Sequence, residues 1–180
     1  MSSVDQTPAT LPAGVWKVLL GHAFTLIDEI AQHGINDPVW TFGGGTVLML
    51  RHGHRLSKDI DIFVPDPQYL GFVSPRLSDV AESVTHDYVE GPGYIKLLRP
   101  EGEIDFVASP NLTRFPFELW QLLGRQVRVE TSAEIVAKKL WHRGDRATPV
   151  TCLTWRWSSS VSRRRWPVPL NFWCVTAARS

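Results

Sequence analysis

Hydrophobic periodicity along the chain divides it into short helices and strands. Over residues 15–32, apolar side chains fall at Val15, Val18, Leu19, Ala23, Leu26, Ile27 and Ile30, the three-and-four spacing of one helix face. The stretch His33-Gly34-Ile35-Asn36-Asp37-Pro38 closes that helix, with Gly34 suited to its C-terminal cap. Residues 39–42, Val-Trp-Thr-Phe, predict a short strand, and Gly43-Gly44-Gly45 a tight turn into a helix over 46–52. Residues 59–64 alternate acidic and apolar, the period of a half-buried strand, and Pro65 stops it. A helix is expected over 75–83, and a hairpin pairs 94–98 with 103–107 across Arg99-Pro100-Glu101-Gly102. Residues 127–129 read as a short strand. Thr131-Ser132-Ala133-Glu134 has the form of a capping box opening a helix over 135–143. Phe115, Phe117, Trp120 and Trp141 are expected in the core.

Composition changes this picture in one place. The 180 residues suit a single core, the net charge is +1, and no stretch nears the roughly 18 apolar residues of a membrane span. The polar first dozen residues lack a secretion-signal pattern, so a cytoplasmic protein without membrane association or stable DNA binding is expected. Cys152 and Cys174 form neither a disulfide framework nor a zinc pattern. All 18 acidic residues precede Val150, where they face 14 of the 19 basic ones. Residues 150–180 contain no Asp, Glu or Lys, but five Arg and four of the eight Trp, without helical or strand periodicity. One reading is a basic aromatic tail for nucleic acid. The reading favoured is a frameshift: back-translated one nucleotide out of phase, the segment from Val150 begins Arg-Asp-Leu-Phe-Asp-Leu and continues as an amphipathic helix of mixed charge. On that reading 1–149 is the domain and 150–180 an aberrant tail, and the gene's nucleotide sequence decides between the two.

The chemistry is concentrated in the acidic strand. Asp59 and Asp61 project from the same side, because alternate strand residues share a face. Two carboxylates about 4 Å apart repel by roughly 4 kcal/mol at an effective dielectric near 20. A divalent cation relieves that repulsion, and Mg²⁺ favours a few carboxylates combined with phosphate oxygens. Asp-x-Asp alone is more often a solvated strand face. The glycine run shortly before it adds backbone N–H groups at a helix N-terminus, which suits a phosphate, and Thr46 adds a hydroxyl. No P-loop lysine follows, so this is a different kind of phosphate cradle. His52 and His54 flank Gly53 but lack a third ligand at a metal-binding spacing, and read as ordinary loop histidines.

The run from Phe42-Gly43-Gly44-Gly45-Thr46 to Arg55-Leu56-Ser57-Lys58-Asp59-Ile60-Asp61 resembles the signature of the AbiEii/AbiGii toxin-type nucleotidyltransferases, within the polymerase-β-like superfamily. The resemblance spans roughly residues 39–149. It implies an α+β nucleotidyltransferase fold, a small mixed β-sheet flanked by helices. It also implies a catalytic and metal-binding set of Asp59, Asp61 and Asp105, with Glu103 a lesser candidate beside Asp105. Gly44, Gly45, Thr46, Ser57 and Lys139 would bind the nucleotide, and Arg55 would contact phosphate or brace Asp59. Lys139 equally suits a helix-end lysine facing the macrodipole. The implied cofactors are two Mg²⁺ (or Mn²⁺), with an NTP as substrate. The implied partners are an acceptor, either RNA (tRNA-like) or protein, and a cognate antitoxin. The same family often carries Arg-Asp-Leu-Phe-Asp-Leu beyond the lysine helix, the string that the shifted frame yields. Two other classes remain open on sequence: an inactive nucleotide- or partner-binding module of this fold, and a nucleic-acid binder dependent on the tail.

Overall fold

A computed structural model describes residues 7–8, 11–35, 37–53 and 56–143. The expectations for His54, Arg55 and residues 150–180, including the frameshift, lie outside the described residues. The elements in chain order are α1 (Trp16–Gln32), β1 (Thr41–Gly43), α2 (Gly44–His52), β2 (Ile60–Val64), α3 (Tyr69–Phe72), α4 (Asp79–Val84), β3 (Tyr88–Gly91), β4 (Tyr94–Arg99), β5 (Gly102–Ala108), β6 (Phe117–Leu122), β7 (Arg125–Glu130) and α5 (Ser132–Arg143). The strands form one sheet in the order β3-β4-β5-β2-β1-β7-β6. Its β2–β5 and β1–β7 neighbours run parallel and the others antiparallel, so the sheet is mixed, as expected.

Register decides which side chains share a face. Phe42 pairs with Ile62 and Val129, Ile62 with Phe106, Phe106 with Ile95, and Ile60 with Ile104, which pairs with Leu97. These residues are fully buried and make one apolar sheet face. Helix α1 packs on β2 and β5 and contributes Trp16, Leu19, Leu20, Ala23, Leu26 and Ile30 to the same core. Burying this face supplies most of the driving force, at roughly 1.5–3 kcal/mol for each large apolar side chain. The intervening residues of the same strands, including Asp61, Asp105 and Lys96, belong to the other face.

Several expectations are corrected. The buried stripe of α1 is rotated from the sequence reading: Val15 and Val18 are exposed, and Trp16, Leu20 and Phe24 are buried in their place. Helix α4 starts later than expected, capped by Ser78, whose hydroxyl accepts from Ala81 N–H at 3.2 Å. Strands β3 and β6 and the single turn α3 were not expected. Phe115 and Trp141 lie on the surface at 62% and 73% exposure, whereas Trp120 is buried. The capping box is only half formed. Thr131 Oγ1 accepts from Glu134 N–H, but the Glu134 carboxylate turns to Leu112 N–H, Thr113 N–H and the Thr113 hydroxyl. Among the described residues, no helix is long and apolar enough to cross a membrane.

Candidate active site

Parallel pairing of β2 with β5 sets Asp61 directly beside Asp105, and antiparallel pairing of β5 with β4 sets Asp105 beside Lys96. Neighbouring strands lie about 4.8 Å apart, so these three side chains form one row across the polar face. Lys96 Nζ contacts Asp105 Oδ2 at 3.1 Å and also pairs closely with Glu103 Oε2. Asp59 precedes the first residue of β2, and its Oδ1 accepts from Glu103 N–H at 3.3 Å.

The glycine run abuts this row. Gly43 ends β1 in register with Asp61, and Gly44 opens α2 with φ +72°. A Cβ on Gly44 would sit 1.8 Å from Asp61 Oδ2, so both the backbone conformation and the space demand glycine there. The Gly45 N–H donates to the Asp61 carboxylate, which thus sits at the N-terminus of α2. Thr46 is fully buried. Its hydroxyl donates to the Asp59 carbonyl at 2.5 Å and lies 3.1 Å from Ser57 Oγ. Thr46 and Ser57 therefore anchor the chain entering β2 to the start of α2, and Thr46 acts on Asp59 through the backbone.

Burial pushes the Asp61 carboxyl up, and Asp105 pushes it further; Lys139 and the Gly45 N–H oppose them, leaving it at about 6. Burial also raises Asp105 despite its bond to Lys96. Asp105 Oδ1 is buried and has no hydrogen-bond partner. Lys139, on α5, bears electrostatically on Asp61, so the helix expected to carry a phosphate ligand does reach this row.

Beside this row lies a second ionic cluster. Lys138 Nζ bonds Glu130 Oε1 at 2.6 Å and lies 3.7 Å from Glu134 Oε1, all three side chains being almost wholly buried. Thr41 also donates to Glu130 Oε1, at 2.7 Å, and the ammonium of Lys138 sits 4.1 Å from the centre of the Phe63 ring. Burial raises Glu130 even so, with Lys138 the largest opposing influence. Its Oε2, without a hydrogen-bond partner, lies 2.2 Å from where a Cβ of Gly43 would stand. Sequence reading assigned no role to Glu130, Lys138 or Lys96, and took Gly43 only as part of the glycine turn. Only Lys96 had a readable signal, since the turn at Arg99-Pro100-Glu101-Gly102 puts it opposite Asp105.

Among the described residues, no three His, Cys, Asp or Glu side chains are drawn together closely enough to hold one metal ion. Asp59 is turned to the backbone of β5, and Asp105 to Lys96. The donor set nevertheless suits a cation arriving with phosphate. Asp59 and Asp61 would offer hard oxygen donors of like charge, Asp61 at the glycine-lined N-terminus of α2, and Mg²⁺ would take the rest of its shell from phosphate and water.

Comparison with solved structures gives the same architecture. The chain is similar to the antibiotic-resistance factor ANT(2'')-Ia in solution, with TM-score 0.52, 13% identity, and 80% of this chain and 84% of that one covered. It is equally similar to crystalline ANT(2'')-Ia in complex with adenylyl-2''-tobramycin, with TM-score 0.52, 13% identity, and 80% and 89% covered. The lincomycin-bound lincosamide antibiotic adenylyltransferase LnuA matches at TM-score 0.47 and 16% identity, over 76% and 93%. No curated protein matches the chain significantly. The family described as "Nucleotidyl transferase AbiEii toxin, Type IV TA system" matches residues 26–149, and the chain, a nucleotidyltransferase, belongs to it.

Proposed function

We propose that this nucleotidyltransferase is metal-dependent and acts on an RNA or protein acceptor as the toxin of a toxin–antitoxin pair. The observation that carries the reading is the in-register Asp61–Asp105 pair set against the Gly44 turn and within reach of Lys139's charge. The Gly44-Gly45 backbone and Lys139 hold the triphosphate, and Thr46 with Ser57 fix the segment that carries Asp59. Asp59 and Asp61 hold the divalent cation, and Asp105 faces the acceptor. When bound, that cation supplies positive charge to the phosphates as negative charge develops on departing pyrophosphate. An acceptor hydroxyl oxygen bonds to the α-phosphorus, the bridging α–β P–O bond breaks, pyrophosphate leaves with the electron pair, and the hydroxyl proton passes to water. An NTP substrate supports a cytoplasmic location. The family description supports the toxin role and, with it, a cognate antitoxin.

The test is transfer of label from each α-³²P NTP to total RNA and to protein, with Mg²⁺ or Mn²⁺. Labelling should appear in one acceptor pool, require the metal, and disappear in Asp59→Ala and Asp61→Ala. NTP binding without labelling of any pool would instead make this an inactive binding module of the same fold.

A further inference from the structure

We propose that Tyr94 determines how the acceptor is held, as a platform on which a base of an RNA acceptor stacks beside the reacting hydroxyl. The inference rests on the reading above, in which the triphosphate lies at the Gly44-Gly45 turn and Asp105 faces the acceptor. Strand register carries it. Lys96 pairs with Asp105 on one side and with Val89 on the other, while Tyr94 pairs with Val107 and with Gly91. Cross-strand partners share a face, so Val89 and Tyr94 stand on the face of Asp61 and Asp105. In the sheet order they lie beyond Asp105, on the side away from β1 and its glycine turn. The glycine turn and Tyr94 therefore mark opposite ends of one face.

The two ends are covered differently. On β2, the ammonium of Lys138 from α5 sits 4.1 Å from the centre of the Phe63 ring. On β3 and β4, Val89 is 45% and Tyr94 39% exposed, although Ile95 and Leu97 on the other face of β4 are sealed in the core. An aliphatic and an aromatic side chain thus stay in water next to the carboxylate row. Tyr94 also leans over rather than standing up from the sheet. A Cβ on Gly91 would come within 2.4 Å of Tyr94 Cε1 and 2.6 Å of Cζ, so the ring lies across the glycine, and a side chain there would displace it. Glycine weakens a strand, and here it makes room for a ring laid along the sheet. Such a ring offers its π-face, the surface on which single-stranded bases stack. The bonds of Lys96 to Glu103 and Asp105 offset part of the negative charge that an RNA backbone would meet. Tyr94 and Asp105 are diagonal neighbours, about 7–8 Å apart at Cβ. A base on the ring and a ribose hydroxyl at Asp105 would belong to the same or adjacent nucleotides, whereas a protein hydroxyl brings no base to stack.

The test irradiates the full-length wild-type protein with short single-stranded RNA carrying 5-iodouridine, which joins to aromatic rings stacked on it, and maps the joined residue by mass spectrometry. That residue should be Tyr94. Tyr94→Leu should lose the crosslink and raise KM for RNA by about 5- to 150-fold, with KM for NTP unchanged. The ring-retaining Tyr94→Phe should restore the crosslink and most of that loss. Crosslinks confined to other residues, the arginine- and tryptophan-rich 150–180 among them, overturn the inference. So does a Tyr94→Leu variant that keeps the wild-type circular dichroism spectrum and the wild-type KM for RNA. The wild-type crosslink decides the matter even if the variants fail to fold. Labelling of protein alone in the transfer assay also overturns it, and leaves metal-dependent transfer standing. If no pool is labelled, the transfer reading falls, and the crosslink alone upholds or removes the contact of Tyr94 with RNA.

Discussion

Two acid–base clusters share the polar side of the sheet and are built on opposite principles. Around β7 and α5, Glu130, Glu134 and Lys138 are sealed from solvent, with Thr41, Leu112 N–H and Thr113 supplying further hydrogen bonds. Around β2, β5 and β4, four carboxylates face two lysines, and burial with the neighbouring Asp105 pushes Asp61 up to about 6. A sealed cluster with its partners in place fixes geometry. An open cluster of like charges holds unfavourable energy that an incoming cation relieves. The first aligns α5, and with it Lys139, over the second.

The largest effect should come from Asp61. Asp61→Asn should lower nucleotidyl transfer by ~1000-fold or more, the scale of losing charge stabilisation in a transition state. The same change should stabilise the metal-free fold. The Asp61 pKa rises from 3.8 to about 6 on folding, so its ionised form is disfavoured in the native state, and that cost is complete above pH 6. The variant should therefore gain up to about 3 kcal/mol at pH 7.5, fading to nothing below pH 4. Urea unfolding in EDTA across that range checks it, and an unchanged or lowered stability at pH 7.5 would mean that Asp61 is relieved by the protein itself.

Lys138→Met should do the reverse. It leaves Glu130 and Glu134 buried without their cation, at a cost of about 3–5 kcal/mol. Adding Glu130→Gln should recover part of that loss. If Lys138→Met loses activity at full stability, Lys138 belongs to the chemistry and the contrast between the clusters breaks.

What the sequence made legible follows the same division. The acidic alternation of β2 and the glycine run were readable because period-two patterning and glycine punctuation are local. Asp105 and Lys139 were singled out only by the family resemblance, and the fold sets Asp105 beside Asp61 with the charge of Lys139 acting on it. The sealed cluster was not readable, because Glu130 and Lys138 meet Thr41 and Phe63 only after β7 has paired with β1, long-range contacts without a local signature. Val15 and Val18 were misplaced because several helix phases fit α1, and only packing on β2 and β5 selects the one that buries Trp16 and Leu20. Trp141 and Phe115 show that aromatic character alone does not place a residue in the core.

Gly44→Ala tests where the open cluster meets its cradle. Its φ of +72° and the 1.8 Å approach of Asp61 Oδ2 mean that a methyl group must displace either the turn or the carboxylate. A loss of about 1–3 kcal/mol is expected, with transfer falling more than stability explains. Saturation of each variant with NTP separates a distorted cradle, seen as raised KM, from a displaced Asp61, seen as lowered kcat.

The smallest effect lies away from both clusters, in the hairpin that sequence reading missed. Leu122 pairs with Arg125 across Leu123-Gly124, and both loop residues have positive φ, 50° and 79°. A two-residue turn of this kind favours Asn-Gly, because its first position is left-handed, and leucine hides the signature. Leu123 is 47% exposed, so little packing offsets its backbone cost. Leu123→Asn should therefore raise stability by roughly 0.5–1 kcal/mol, less than the full left-handed penalty because some apolar contact is lost. Transfer activity should not move. A change in it would show that the β6–β7 hairpin transmits its conformation through β7 and Glu130 to the glycine turn, and the two clusters would then have to be treated as one mechanical unit.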